Sequence, residues 1–157
     1  MQVIPEIDTP AHSLALTRIF PEYALADEPD NVDQLDLGKK GTVDLVQRLW
    51  KEYLEGEEPV FEAGGLVHIG MDEYFADGED FRSFANDMIS MIQESGRTVR
   101  MWGSFSRLPG RTRVASENVQ LQIWNMEWAD PQDMYEEGFT IINSLNSSLY
   151  ILSLIHI

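Results

Sequence analysis

Two carboxylates stand side by side at Asp72 and Glu73, within Val67-His68-Ile69-Gly70-Met71-Asp72-Glu73-Tyr74. They follow an apolar run at a glycine turn. Adjacent carboxyl groups in an enclosed pocket do not ionise equally, because like charge and desolvation raise one pKa and leave the other group charged. That division gives one general acid and one fixed negative charge, which suits glycosidic cleavage. Taken alone, such a pair is common and reads more readily as a solvated acidic turn. A second set lies in Pro5-Glu6-Ile7-Asp8-Thr9-Pro10-Ala11-His12-Ser13. Two prolines fix an irregular turn there, and Asp8 and His12 are close enough in sequence to meet across it. A carboxylate–imidazole pair can orient or polarise a third group. The alternative is an Asp8 that caps the turn and a satisfied, buried His12.

Trp102, Trp124 and Trp128 form a third set. Indole faces stack on the apolar faces of sugar rings and can shape a pocket around an acetamido methyl; a single tryptophan reads first as core, and two at the ends of separate strands point toward a site. Metal-ligating types also occur, at Asp8, His12, His68, Asp72 and Glu73. No H-E-x-x-H or similar spacing joins them, and His68 inside an apolar strand reads as a core histidine bonded to backbone. Neither metal nor cofactor is expected.

Five short apolar runs must position these residues: Val3–Ile7, Leu66–Ile69, Thr98–Trp102, Val119–Trp124 and Phe139–Asn143. Each is bounded by turn residues and reads as a buried strand. Helical spacing lies between several of them. Thr42–Glu55 puts Val43, Val46, Trp50 and Tyr53 on one stripe, with Thr42 as the expected N-cap. Asp80–Ser95 puts Phe81, Phe84, Ala85, Met88 and Ile92 on another, capped by Asp80 and ended by Gly96. Pro131–Glu137 forms a shorter helix ended by Gly138. Ser104–Asn118 shows no convincing helix, and the acidic stretch Ala26–Lys40 reads as a long loop. Strands alternating with helices imply a parallel α/β sheet. Periodicity cannot separate an open doubly wound sheet from part of a barrel. The chemistry-bearing ends of four strands do favour the barrel, since an open sheet gathers its site at one switch point.

The 157 residues carry a net charge of −16, and 43% of them are hydrophobic. This is globular composition, and such an acidic surface repels phosphate backbones, so nucleic acid is not an expected partner. An uncharged glycan suits it better than an anionic ligand. The lack of cysteine excludes disulfides, thiolate catalysis and thiolate metal sites. No apolar run is long enough to span a bilayer. The start, M-Q-V-I-P-E-I-D, has neither the basic region nor the apolar stretch of a signal peptide, which is uninformative if the chain is internal to a longer one.

Taken together, these segments resemble the family 20 glycoside hydrolases, the β-N-acetylhexosaminidases. V-I-P-E-I-D-T-P-A-H-S at Val3–Ser13 is similar to that family's P-E-[IF]-D-x-P-G-H motif, with Ala11 where glycine is usual. V-H-I-G-M-D-E-Y at Val67–Tyr74 is similar to its H-I-G-x-D-E signature. R-M-W-G-S at Arg100–Ser104, L-Q-I-W at Leu121–Trp124, and F-T-I-I-N-S followed by L-Y-I at Leu149–Ile151 fit the next three strand ends in order. The forms R-M-W-G-S and L-Y-I look closest to the bacterial subgroup of lacto-N-biosidases and dispersin-like enzymes.

The resemblance implies a partial (β/α)8 barrel over residues 1–151, roughly strands three to seven of the eight expected. It implies hydrolysis of terminal β-linked N-acetylhexosamine, or of a lacto-N-biose unit, by substrate-assisted retaining catalysis through an oxazolinium intermediate. Glu73 would be the acid and base, and Asp72 would accept the acetamido N–H. Trp102 and Trp124 would wall the acetamido pocket, Tyr150 would donate to the acetamido oxygen, and Asp8 and His12 would support the acid. Partners are then glycans containing N-acetylhexosamine, and a secreted or cell-surface bacterial location is expected. The family's first two strands, with a sugar-binding arginine, and its eighth, with a tryptophan, have no counterpart here, so the piece alone is expected to be inactive. The tail Leu152–Ile157, L-S-L-I-H-I, departs from the pattern and is what a sequencing-library transposon end would encode in one frame. It is expected to be non-native, with no role for His156. Two other readings stand beside this one: a non-catalytic glycan-binding barrel that keeps the pocket, and an unrelated α/β protein whose acidic loops bind a cation.

Overall fold

The computed structural model describes residues 3–25 and 32–149. Five strands run in the order β1 (Glu6–Thr9), β2 (Leu66–Gly70), β3 (Thr98–Trp102), β4 (Val119–Ile123) and β5 (Thr140–Asn143). All four pairings are parallel, and strand order in the sheet equals order in the chain. Every neighbour in sequence is thus a neighbour in space. A doubly wound sheet would reverse direction at a switch point; this order has none, which is the wall of a (β/α)8 barrel. The helices between strands are α1 (Leu14–Ile19), α2 (Thr42–Leu54), α3 (Gly78–Glu94) and α4 (Pro131–Glu136), with α5 (Asn146–Leu149) after β5.

The two faces of the sheet differ. Val67, Ile69, Val99, Met101, Val119, Leu121 and Ile123 are at most 1% exposed. They share one cluster with Val46 and Trp50 of α2 and Phe81, Phe84, Ala85, Met88 and Ile92 of α3. The intervening residues, His68, Arg100, Trp102, Gln120 and Gln122, stand on the opposite face by alternation and register. That face is polar, and Arg100 donates from Nε and Nη2 to Gln120 Oε1 at 2.9 and 2.6 Å. The runs expected to be buried outright are therefore apolar on the helix side only, as β3 and β4 show by strict alternation.

Three expected boundaries shift for local reasons. β1 begins at Glu6, not Val3; Pro5 has no N–H to give the ladder, and its carbonyl accepts from His68 N at 2.9 Å at the strand's entry. Thr42 is not an N-cap. Its hydroxyl donates to Asp36 O at 2.7 Å, and Gly41 takes the cap position at φ 98°. Asp80 does not cap α3 either, because the helix starts earlier. Asp77 Oδ1 accepts from Glu79 N and Asp80 N at 2.8 and 3.0 Å, closing the first turn. Gly96 and Gly138 follow α3 and α4 in left-handed backbone, as expected.

The irregular stretch after β3 is held by side chains of α3 in place of a helix. Arg82, 8% exposed, donates to the carbonyls of Phe105, Leu108 and Thr112. Glu79 accepts from the N–H groups of Arg111 and Thr112. Asn86 bonds Arg113 O and Ala115 N at 3.0 and 2.8 Å. Backbone groups that a helix would have paired internally are satisfied this way.

Candidate active site

The Asp72–Glu73 turn leaves β2 through unusual backbone. Gly70, Met71 and Glu73 all have positive φ, at 78°, 79° and 42°. Positive φ in non-glycine residues persists only where the surroundings over-determine it, and it concentrates at functional sites. Here the turn is tied on three sides. Met71 N donates to Thr9 O at 3.0 Å, and Met71 O accepts from buried Ser104 Oγ at 2.8 Å. Gln34, 2% exposed, donates to Glu73 O and accepts from Phe75 N at 2.9 Å. Gly70 is required for another reason: a Cβ there would sit 2.1 Å from Asp8 Oδ1 and 2.4 Å from Asp8 Cα. The absence of a side chain lets β1 and β2 approach closely enough to place Asp8 beside the turn.

Asp8, His12 and Glu73 form a chain of hydrogen bonds. His12 Nδ1 lies 2.7 Å from Asp8 Oδ2, and His12 Nε2 lies 3.2 Å from Glu73 Oε2. His12 itself has φ 52°, in the left-handed region. Burial pushes the Asp8 carboxyl up to about 6, against the lowering effect of its bond to His12. Desolvation works against charged His12, but the bond and charge of Asp8, joined by the bond to Glu73, hold its pKa above the ordinary value. An imidazole set between two carboxylates in this way can pass charge and orientation to Glu73, whose side chain is 39% exposed and open to a ligand.

Asp72 is held from the other side. Trp124 Nε1 donates to Asp72 Oδ1 at 2.7 Å, and Glu73 N donates to the same oxygen at 3.0 Å. Both bonds fall on Oδ1, which leaves Oδ2 outside them. Burial raises the Asp72 pKa and the charge of Glu73 adds to that, while the Trp124 bond opposes it. Trp102, at the end of β3, donates from Nε1 to Glu6 Oε1 at 2.9 Å. Its ring lies 5.2 Å from that of His68.

Asp8, His12, Asp72, Glu73 and Trp124 thus come together in one bonded group at the carboxyl ends of β1, β2 and β4, with Trp102 at the end of β3. Tyr150 and the tail Leu152–Ile157 lie outside the described residues. Trp128 packs against Phe75 and beneath Arg107, 8% exposed, away from these bonds. His68 accepts from Gly70 N at 3.1 Å and is buried, as a core histidine should be, but its Nδ1 also faces Glu6 Oε1 at 3.2 Å. Sequence reasoning met Glu6 only as part of a strand end and gave it no role, and it did not single out Gln34 or Ser104. No pattern marks Gln34, whose role depends on how a loop folds back. Among the described residues no group of three or more His, Cys, Asp or Glu side chains is placed to hold a metal ion, and no helix is long and apolar enough to cross a membrane.

No family model matches the chain. The lacto-N-biosidase of Bifidobacterium bifidum is 25% identical to it over 169 residues, which is 92% of this chain and 15% of that protein. Among solved structures, dispersin B superposes with a TM-score of 0.62 at 19% identity, over 93% of this chain and 48% of that one. The family 20 modules of a pneumococcal exo-β-D-N-acetylglucosaminidase superpose with a TM-score of 0.72 at 20% identity, over 89% and 40%. The β-N-acetylhexosaminidase of Bacteroides fragilis does so with 0.69 at 19% identity, over 90% and 32%. The chain spans less than half of each of these proteins. In strand order, superposition and sequence the resemblance holds: the chain is part of a (β/α)8 barrel similar to those of the family 20 glycoside hydrolases.

Proposed function

We propose that the gene product carrying this chain hydrolyses terminal β-linked N-acetylhexosamine, or a lacto-N-biose unit, from glycans by substrate-assisted retaining catalysis. The observation that carries the reading is the tethering of the carboxylate pair from opposite sides: Asp72 to Trp124 at 2.7 Å and Glu73 to His12 at 3.2 Å. Two adjacent acids with separate partners can take separate roles. Glu73, the more open to solvent, protonates the leaving oxygen and then deprotonates the incoming water, with His12 and Asp8 setting its orientation. Asp72 accepts the N–H of the sugar's 2-acetamido group on Oδ2 and stabilises the positive charge that develops as the acetamido oxygen attacks the anomeric carbon. The nucleophile belongs to the substrate, so no second protein carboxylate is needed at the anomeric centre, and pre-set orientation supplies much of the rate. Trp102 and Trp124 wall the acetamido pocket, and Tyr150 donates to the acetamido oxygen. Turnover is expected of the longer protein and not of these 157 residues alone.

Glu73→Gln in the full-length gene product tests the assignment. It should abolish most hydrolysis of substrates with poor leaving groups and spare activated aryl glycosides far more. Near-normal turnover on both would sink it. A glycan-binding barrel without turnover is the second reading; the intact Asp72, Glu73 and His12 bonds argue against it.

A further inference from the structure

We propose that Glu6 is a positioning residue: by holding the Trp102 indole it sets the width of the pocket for the sugar's 2-acyl group. The inference rests on the function proposed above. Glu6, His68 and Arg100 lie in register across β1, β2 and β3, and Trp102 is two residues beyond Arg100 on the same face. The carboxylate therefore reaches over β2 to a side chain two strands away. Glu6 Oε1 accepts from Trp102 Nε1 at 2.9 Å and lies 3.2 Å from His68 Nδ1, and the His68 ring leans on the indole at 5.2 Å and 58°. Nε1 is the only polar atom of a tryptophan side chain, and the outer torsion of an aromatic is broad. One bond at Nε1 with one ring beneath is then what selects the plane of the wall.

The two pocket tryptophans are built alike, each tied by its Nε1 to a carboxylate from another strand: Trp124 to Asp72, Trp102 to Glu6. Asp72 has a task at the substrate. Glu6 bonds the wall and not the acid pair, which assigns it to shape. Its pKa is lowered despite desolvation, with the Trp102 bond among the causes, so it stays ionised and a strong acceptor.

The test compares Glu6→Leu, which removes the acceptor, with Glu6→Gln, which keeps an acceptor oxygen, in the full-length gene product. Substrates are aryl β-glucosaminides carrying N-acetyl or N-propionyl groups. Glu6→Leu should lose about 10- to 100-fold in kcat/KM on the N-acetyl substrate, the scale of a wall displaced by about an ångström. Its preference should move toward N-propionyl, and Glu6→Gln should recover most of the loss. Glu6→Ala carries the same prediction without added bulk. Trp102 emission, read as the difference from a Trp102→Phe background, should shift in Glu6→Leu and return in Glu6→Gln. Unchanged acyl preference and emission in Glu6→Leu overturn the proposal. So does equal damage in Glu6→Gln, which would assign the effect to charge beside His68. A parent enzyme that cleaves β-glucosides as readily as the 2-acetamido substrates would sink the proposed function, and the emission arm would still decide the Glu6–Trp102 tether.

Discussion

Trp124→Phe removes one hydrogen bond and keeps an aromatic wall. The lost bond runs 2.7 Å from Nε1 to Asp72 Oδ1. A hydrogen bond to a charged group is worth about 1.5–3 kcal/mol, and each 1.36 kcal/mol is tenfold, so kcat/KM should fall about 10- to 150-fold. The Glu73 N–H at 3.0 Å remains on the same oxygen and favours the lower end. The pH profile gives a second, signed expectation. Burial raises the Asp72 pKa, and the Trp124 bond is the foremost influence holding it down. Without that bond the pKa rises further. In the proposed mechanism Asp72 acts in its ionised form, so the acid limb of kcat/KM should move to higher pH. The assay is kcat/KM against pH for an aryl N-acetyl-β-glucosaminide, repeated in an Asp72→Asn background. In that background Trp124→Phe should no longer move the limb, and its cost should shrink. Equal losses in both backgrounds, or an unmoved acid limb, would refute a role exerted through Asp72 and leave Trp124 as packing alone.

Other consequences follow from the same geometry. Gly70→Ala forces a Cβ within 2.4 Å of Asp8 Cα in backbone that costs a non-glycine residue about 1–2 kcal/mol by itself. Thermal unfolding should show a loss above about 3 kcal/mol, and a loss under about 1 kcal/mol would contradict the close approach. Asp8, with its pKa raised from 3.8 to about 6, holds a proton in the folded state that the unfolded state releases between those values. Stability contributed by the protonated group is thus full at low pH and lost as pH climbs through about 6. Between pH 4 and pH 7, Asp8→Asn should gain on the parent by up to about 3 kcal/mol in denaturant unfolding; a pH-independent difference would contradict this. Arg97, 5% exposed, donates to the carbonyls of Leu54, Phe61, Glu62 and Ser95. Arg97→Met leaves those acceptors short of donors and should cost about 3 kcal/mol by the same unfolding measurement.

The sheet was legible because each strand is a short, largely apolar run bounded by turn residues, although the alternation of Val119, Leu121 and Ile123 with polar neighbours was not. The partners of the second face were not, since Gln120 or Arg100 gives no sign of which neighbour it meets until register is known. Caps failed where two candidates compete: Asp77 and Asp80 both precede apolar spacing, and only the backbone shows which one accepts. Residue type and short spacing marked Asp72, Glu73, Asp8 and His12 as candidates, but the roles expected of them came from the resemblance and not from the spacing. Their assembly could not, because the bond from His12 to Glu73 spans 61 positions and that from Trp124 to Asp72 spans 52. Gln34 escaped notice for the same reason, lying in an acidic loop whose docking is tertiary.

The central claim is that the substrate's own acetamido group is the nucleophile. It is tested by assaying the full-length gene product on an aryl N-acetyl-β-glucosaminide, the matching β-glucoside and an aryl lacto-N-bioside. Cleavage confined to substrates bearing the 2-acetamido group is the predicted result. Comparable cleavage of the β-glucoside would require a protein nucleophile and contradict the account.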